Sequence, residues 1–205
     1  MGITFGGPWA IPMGLSSYPK GYTDSGGLHC YHDSSWGRDV KPFGGYVVFY
    51  YNGAVDYSAK RLKIVPDSTS EAETAVASKA AKAVTAGRML YEDQGRVVSG
   101  ATAMLGDNQA SRDLIVKPGS SARTRYFERA TMLVKQLFMV NIVDPWLIST
   151  DLMVADIFTK ALSRDKFYLF RGYLLNLSNA PPHTVHLEGK MARIFSRMVR
   201  AARGA

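Results

Sequence analysis

The apolar pattern of this chain changes period once, and that change limits the architectures open to it. Up to Leu62 the apolar residues sit in short runs rich in Tyr, Val and Phe. From Ser70 onward Ala72, Val76, Ala80, Ala83, Gly87 and Leu90 recur at helical spacing. Three strands are expected first, over residues 28–31 (leading to Asp33), 44–51 and 54–62, with Asn52-Gly53 as the hairpin turn between the last two. Ser70-Glu71-Ala72-Glu73 has the form of a capping box and is expected to open a long helix whose small residues suit close packing on a sheet. A fourth strand over 97–105 runs into Gly106-Asp107, a short helix follows over 108–115, and residues 125–138 form an amphipathic helix with Phe127, Ala130, Val134 and Leu137 on one side. A fifth strand over 141–149, made irregular by Pro145, precedes a last core helix beginning over 152–162. The order is that of a mixed α/β domain.

Composition narrows the partners. With 46% hydrophobic residues the 205-residue chain can bury a core, and its longest apolar runs fall far short of the roughly 20 residues of a bilayer span, so no integral membrane association is expected. A lone Cys30 excludes an internal disulfide, and four histidines without cysteine partners exclude structural zinc; Cys30 reads as a buried thiol and His183 and His186 as loop residues. Trp36 and Trp146 read as packing residues, and His32 as a strand residue facing away from Asp33. No targeting signal is recognised, and an intracellular location is favoured.

The formal charge is +8, and Lys190, Arg193, Arg197, Arg200 and Arg203 against Glu188 alone place half of that excess after residue 180. There Met191, Ile194, Phe195, Met198 and Val199 fall at helical spacing between the basic residues, the pattern of a basic amphipathic helix. RNA phosphates, an anionic membrane surface and an acidic protein partner all suit such a helix, and nucleic acid is favoured. Three segments result: a Gly/Pro-rich extension (1–20), a core domain (21–178) and a basic tail (179–205).

Four acidic residues lie where strands end or helices stand: Asp33, Glu73, Asp107 and Asp156. Carboxylates converging on one cleft repel one another unless cations neutralise them, and hard divalent ions held by carboxylate oxygens serve in-line phosphodiester hydrolysis. Spacing alone carries that reading weakly, since such acids commonly cap helices or face solvent.

The strings around these acids are more specific. Tyr31-His32-Asp33-Ser34-Ser35-Trp36-Gly37-Arg38-Asp39, Gly44-Gly45-Tyr46-Val47, Tyr57-Ser58-Ala59-Lys60, Ser70-Glu71-Ala72-Glu73, Gly106-Asp107-Asn108-Gln109-Ala110 and Val154-Ala155-Asp156-Ile157-Phe158-Thr159-Lys160-Ala161-Leu162 resemble, in order, the motifs of the ribonuclease H domain of copia-type retrotransposon polyproteins. The family's Arg-Thr-Lys-His-Ile-Asp stands here as Arg123-Thr124-Arg125-Tyr126-Phe127-Glu128, which keeps the charge and loses the histidine.

The resemblance implies a ribonuclease H-like α/β fold, a five-stranded mixed sheet flanked by helices, and Mg²⁺-dependent cleavage of the RNA strand in RNA–DNA hybrids. It places catalysis and metal binding on Asp33, Glu73, Asp107 and Asp156, with two Mg²⁺ ions (or Mn²⁺) of which Asp33 would bridge both. Glu73 is preferred to Glu71 because it lies beside the apolar stripe; its competing role is the capping-box hydrogen bond. Asn108, Arg123, Arg125 and Lys160, together with Arg193, Arg197 and Arg200 of the tail, are the expected nucleic-acid contacts. The expected partners are the hybrid or RNA itself, with a reverse transcriptase or a larger ribonucleoprotein assembly as the wider setting. The alternative is a repurposed, non-catalytic RNA-binding or structural subunit.

Overall fold

β1 (Leu28–Ser34) is the centre of the sheet and is buried along its whole length. It pairs antiparallel with β2 (Phe43–Tyr50), which pairs antiparallel with β3 (Gly53–Arg61). On its other side it pairs in parallel with β4 (Thr102–Gly106), and β4 with β5 (Val143–Leu147), giving the order β3-β2-β1-β4-β5. The helices are α1 (Thr69–Asp93), α2 (Gln109–Val116), α3 (Glu128–Met139) and α4 (Arg164–Leu174). The five-stranded mixed sheet flanked by helices expected from the sequence is therefore present. The structure, a computed structural model, describes residues 27–35, 41–50, 53–96, 98, 100–117 and 128–177. The N-terminal extension, the basic tail, Trp36, Asn52, Arg123 and Arg125 lie outside the described residues.

Alternation along the strands divides the core between the two faces of the sheet. Cys30, Val48 and Met104 point toward α1 and α3, where they meet Ala77, Ala80, Ala81, Val84 and Val134. Tyr31, Val47 and Leu105 point the other way, onto Met153, Ala155, Leu169 and Phe170. Burial of a side chain such as Phe170, 1% exposed, stabilises by roughly 1.5–3 kcal/mol. Two adjacent glycines bring both layers close to the end of β1. A Cβ on Gly44 would stand 2.5 Å from Val76 Cγ2 of α1, and one on Gly45 would stand 2.5 Å from Phe158 Cβ on the opposite face. These glycines pair across the strand with Ser34 and Asp33.

Several boundaries differ from the sequence reading. β1 continues to Ser34, so Asp33 is inside the strand rather than after it. β4 begins only at Thr102, because Gly100 adopts φ +72, a left-handed conformation that breaks the extended run. Helix α1 is capped by Ser68, whose side chain accepts from the Glu71 N–H, rather than by Ser70. Its buried stripe runs through Ala72, Val76, Ala80 and Val84, while Leu90 is exposed and Gly87 faces open space. The segment carrying Asp156 is not an α-helix but a pair of 3-10 turns, Thr150–Leu152 and Val154–Phe158. Met153, Val154, Ala155 and Asp156 are all buried there. The last helix, α4, starts beyond it at Arg164 behind the cap Ser163. Pro145 stands within β5, tolerated because β5 is an edge strand, and its carbonyl accepts from Arg112 Nε at 3.1 Å.

Candidate metal centre

Parallel pairing of β1 with β4 sets the ends of the two strands side by side. Tyr31 pairs with Leu105, so Asp33 and Asp107, each two residues further on, emerge together. Glu73 reaches the same place from the second turn of α1. One carboxylate oxygen from each of Asp33, Glu73 and Asp107 lies within 4.8 Å of the other two. Asp33 and Glu73 are buried, whereas Asp107 is partly open to solvent and accepts from the Thr150 hydroxyl at 3.0 Å.

Glu73 is oriented through one oxygen only. Its Oε1 accepts from both the backbone N–H and the hydroxyl of Ser34, each at 2.9 Å. Its Oε2 is buried and has no hydrogen-bond partner among the described residues. The basic group beside it, His32 Nδ1, stands 3.9 Å away, and burial pushes that imidazole down to about 4 and keeps it neutral. Burial, then the charges of Asp33 and Asp107 working against the Ser34 hydrogen bonds, push the Glu73 carboxyl up to about 8. A buried acid with one unpaired oxygen, beside two further hard oxygen donors, suits a divalent cation. The capping role that competed for Glu73 belongs instead to Glu71, whose Oε2 accepts from the Asp67 N–H at 2.9 Å.

Asp156 lies on the other side of Asp33 and is not one of the three. Its Oδ1 accepts from Lys160 Nζ at 2.9 Å and its Oδ2 from Lys166 Nζ at 3.2 Å. Lys160 Nζ also donates to Asp33 Oδ1 at 3.2 Å, while the Thr159 hydroxyl donates to Asp33 Oδ2. Burial raises the Asp33 carboxyl above its usual range, the Thr159 and Lys160 contacts pull it back, and the Asp156 charge adds to the rise. Burial disfavours the Lys160 ammonium, but its hydrogen bond to Asp156 and the charges of both carboxylates outweigh this and hold its pKa above the ordinary value. Lys166 donates in turn to the Thr150 carbonyl at 3.0 Å, and the Thr150 hydroxyl closes the circuit on Asp107.

All four acids named from the sequence thus lie near the ends of β1 and β4 or around Asp33, with Lys160 between two of them. Asn108 caps α2, its side chain accepting from the Ser111 N–H at 2.9 Å. His32 packs beneath Gly106, where a Cβ would come within 2.8 Å of its ring, consistent with a strand residue turned away from Asp33. Cys30 is buried and burial raises its thiol pKa, as expected for a packing residue. Ser34, Thr159 and Lys166 went unrecognised in the sequence. Ser34 and Thr159 each adjoin a singled-out acid or lysine, a usable signal, whereas nothing local separates Lys166 from a surface lysine in the first turn of a helix.

No protein-family model matches the chain, and no curated protein does. Among solved structures, the chain is similar to ribonuclease H1 of the halophilic archaeon Halobacterium salinarum NRC-1, with a TM-score of 0.41 and 18% identity over 60% of this chain and 83% of that one. It is also similar to the N-terminal RNase H domain of a Mycobacterium tuberculosis protein solved as a fusion with maltose-binding protein, with a TM-score of 0.45 and 12% identity over 70% of this chain and 95% of that one.

Proposed function

We propose that the chain is a divalent-metal-dependent nuclease of the ribonuclease H type that cleaves the RNA strand of RNA–DNA hybrids, and that it derives from a copia-type retroelement. The observation that carries this reading is the convergence of Asp33, Glu73 and Asp107 within 4.8 Å, with Glu73 Oε2 buried and unpartnered among the described residues. These three carboxylates would hold Mg²⁺, with Mn²⁺ as a substitute. Bound there, the cation supplies Lewis-acid polarisation of the scissile phosphate and lowers the pKa of the attacking water.

The protein's own contribution is placement. Ser34 fixes the Glu73 carboxylate, Thr159 and Lys160 fix that of Asp33, and Thr150 fixes that of Asp107. Asp107 is the most open of the three to solvent. Lys160 and Lys166 bring positive charge beside Asp156, and the basic residues outside the described segments, Arg123, Arg125, Arg193, Arg197 and Arg200, are the proposed phosphate contacts, which set register without reading sequence. Selection of RNA would rest on the 2′-hydroxyls displayed in a wide, shallow minor groove. Residues 21–178 form the nuclease unit in this reading, with both termini as accessory segments.

The test is incubation of the full chain with a labelled RNA–DNA hybrid, with and without Mg²⁺. Cleavage of the RNA strand is expected only with the metal, and Asp33→Asn should lower the rate by about 10³-fold with the circular dichroism spectrum unchanged. Absence of cleavage under Mg²⁺ or Mn²⁺ by a folded chain that still binds hybrid would replace this reading with the non-catalytic RNA-binding subunit.

A further inference from the structure

The acidic site is unevenly neutralised, and the unevenness bears on how many ions it takes. On the Glu73 side, the three carboxylates have no Lys or Arg ion pair among the described residues except at Asp33, and Glu73 Oε2 has no hydrogen-bond partner among them. On the Asp156 side every carboxylate oxygen is engaged. Asp156 carries Lys160 on one oxygen and Lys166 on the other, and Asp33 carries Lys160 on one and the Thr159 hydroxyl on the other. Two carboxylates and two ammonium groups leave that side without residual negative charge. An ammonium within 2.9–3.2 Å of both acids fills the space where an ion coordinated by the same two oxygens, at about 2.0–2.1 Å from each, would have to sit.

We infer that the Lys160 ammonium is a built-in cation in the place between Asp33 and Asp156, so that the site takes one divalent ion, on Asp33, Glu73 and Asp107, and not two. The inference rests on the three carboxylates being a metal site. It departs from the two-ion arrangement that the family resemblance implies, in which Asp33 bridges both ions. The segment that carries Lys160 is anchored to the sheet: Phe158 packs over Gly45, and the Lys160 N–H donates to the Asp156 carbonyl at 2.9 Å. Asp156 is 2% exposed, so an incoming ion would have to displace two lysines from it at once.

Ion counting on the full-length chain tests this without reference to turnover. Mn²⁺ is titrated by calorimetry and by the electron paramagnetic resonance of the free ion, and the sites counted are those lost in Asp33→Asn. The wild-type chain is expected to bind one ion and Lys160→Met two, with Lys160→Met combined with Asp156→Asn returning the count to one. Lys160→Arg, which keeps the charge, should also bind one. Two ions on the wild-type chain, or a wild-type count that falls in Asp156→Asn alone, would overturn the inference and leave the three-carboxylate site standing. If Lys160→Met fails to fold, the wild-type and Asp156→Asn counts decide the matter alone. No ion on any chain would overturn both the inference and the metal reading beneath it.

Discussion

The two sides of Asp33 differ in how their charge is met. Toward Asp156, Lys160, Lys166 and the Thr159 hydroxyl, all from one short stretch of chain, satisfy every carboxylate oxygen. Toward Glu73, the donors are supplied by β1 and stop at one oxygen, and the basic group at 3.9 Å is an imidazole that burial holds neutral. A lysine whose side chain is 36% exposed keeps its charge beside two acids, whereas a histidine buried beneath Gly106 loses its own. The difference teaches that acids brought together by the fold need not be equivalent: one side is electrostatically complete without an ion and the other is not.

The sharpest way to break this comparison is Glu73→Gln. It should lower kcat/KM for hybrid cleavage by about 10³-fold, since the unneutralised side loses a charge. Without divalent ions it should also change the pH profile of stability. Burial pushes the Glu73 carboxyl from its ordinary 4.5 up to about 8, so in the wild type the folded state holds a proton that the unfolded state has released, and stability falls as pH rises through that window. The Gln variant lacks this penalty, so its stability relative to wild type should climb from about pH 5 to about pH 8 in urea denaturation. Parallel profiles would show that Glu73 is not the strained group.

Gly45→Ala probes the other side. Its new Cβ would press on Phe158 Cβ at 2.5 Å and Thr159 Cγ2 at 3.1 Å, so the stretch that carries Thr159 and Lys160 must shift. A loss of about 2 kcal/mol is expected from overpacking, with a fall in cleavage that Gly87→Ala does not share; Gly87 has open space around it, and Ala there should stabilise α1 by about 1 kcal/mol. Equal effects from the two glycines would mean that the close approach at Gly45 does not position Lys160. The smallest effect belongs to Glu71→Gln, which touches only the cap of α1 and should cost about 1 kcal/mol or less in thermal denaturation while sparing cleavage. Loss of activity there would transfer the metal role from Glu73 to Glu71.

The two glutamates also show how far local pattern reaches. Ser68-x-x-Glu71 and Ser70-x-x-Glu73 both satisfy the capping-box spacing, so the chain offers two equivalent frames, and the later one was the natural choice beside the apolar stripe. The earlier frame wins because Ser34, at the far end of β1, takes Glu73 Oε1 with two donors and leaves Glu71 to cap. The helix over 152–162 failed for a related reason. Its composition suits a helix, but the segment folds as two 3-10 turns that pack Met153, Val154 and Ala155 onto Tyr31 and Val47 of the sheet, contacts that no local pattern records.

The order of elements and the change from strand to helical period were legible in the sequence, because side-chain type, spacing and turn residues are local properties that can be read along a chain; the four acids were singled out there by the resemblance of the strings around them. What only the tertiary structure decided was how those acids divide: Asp33, Glu73 and Asp107 as a group with an unpaired buried oxygen, and Asp156 matched by Lys160 and Lys166. Contacts such as Thr159 to Asp33 span 126 residues, and burial, which sets the charge state of His32 and Glu73, exists only once both faces of the sheet are covered.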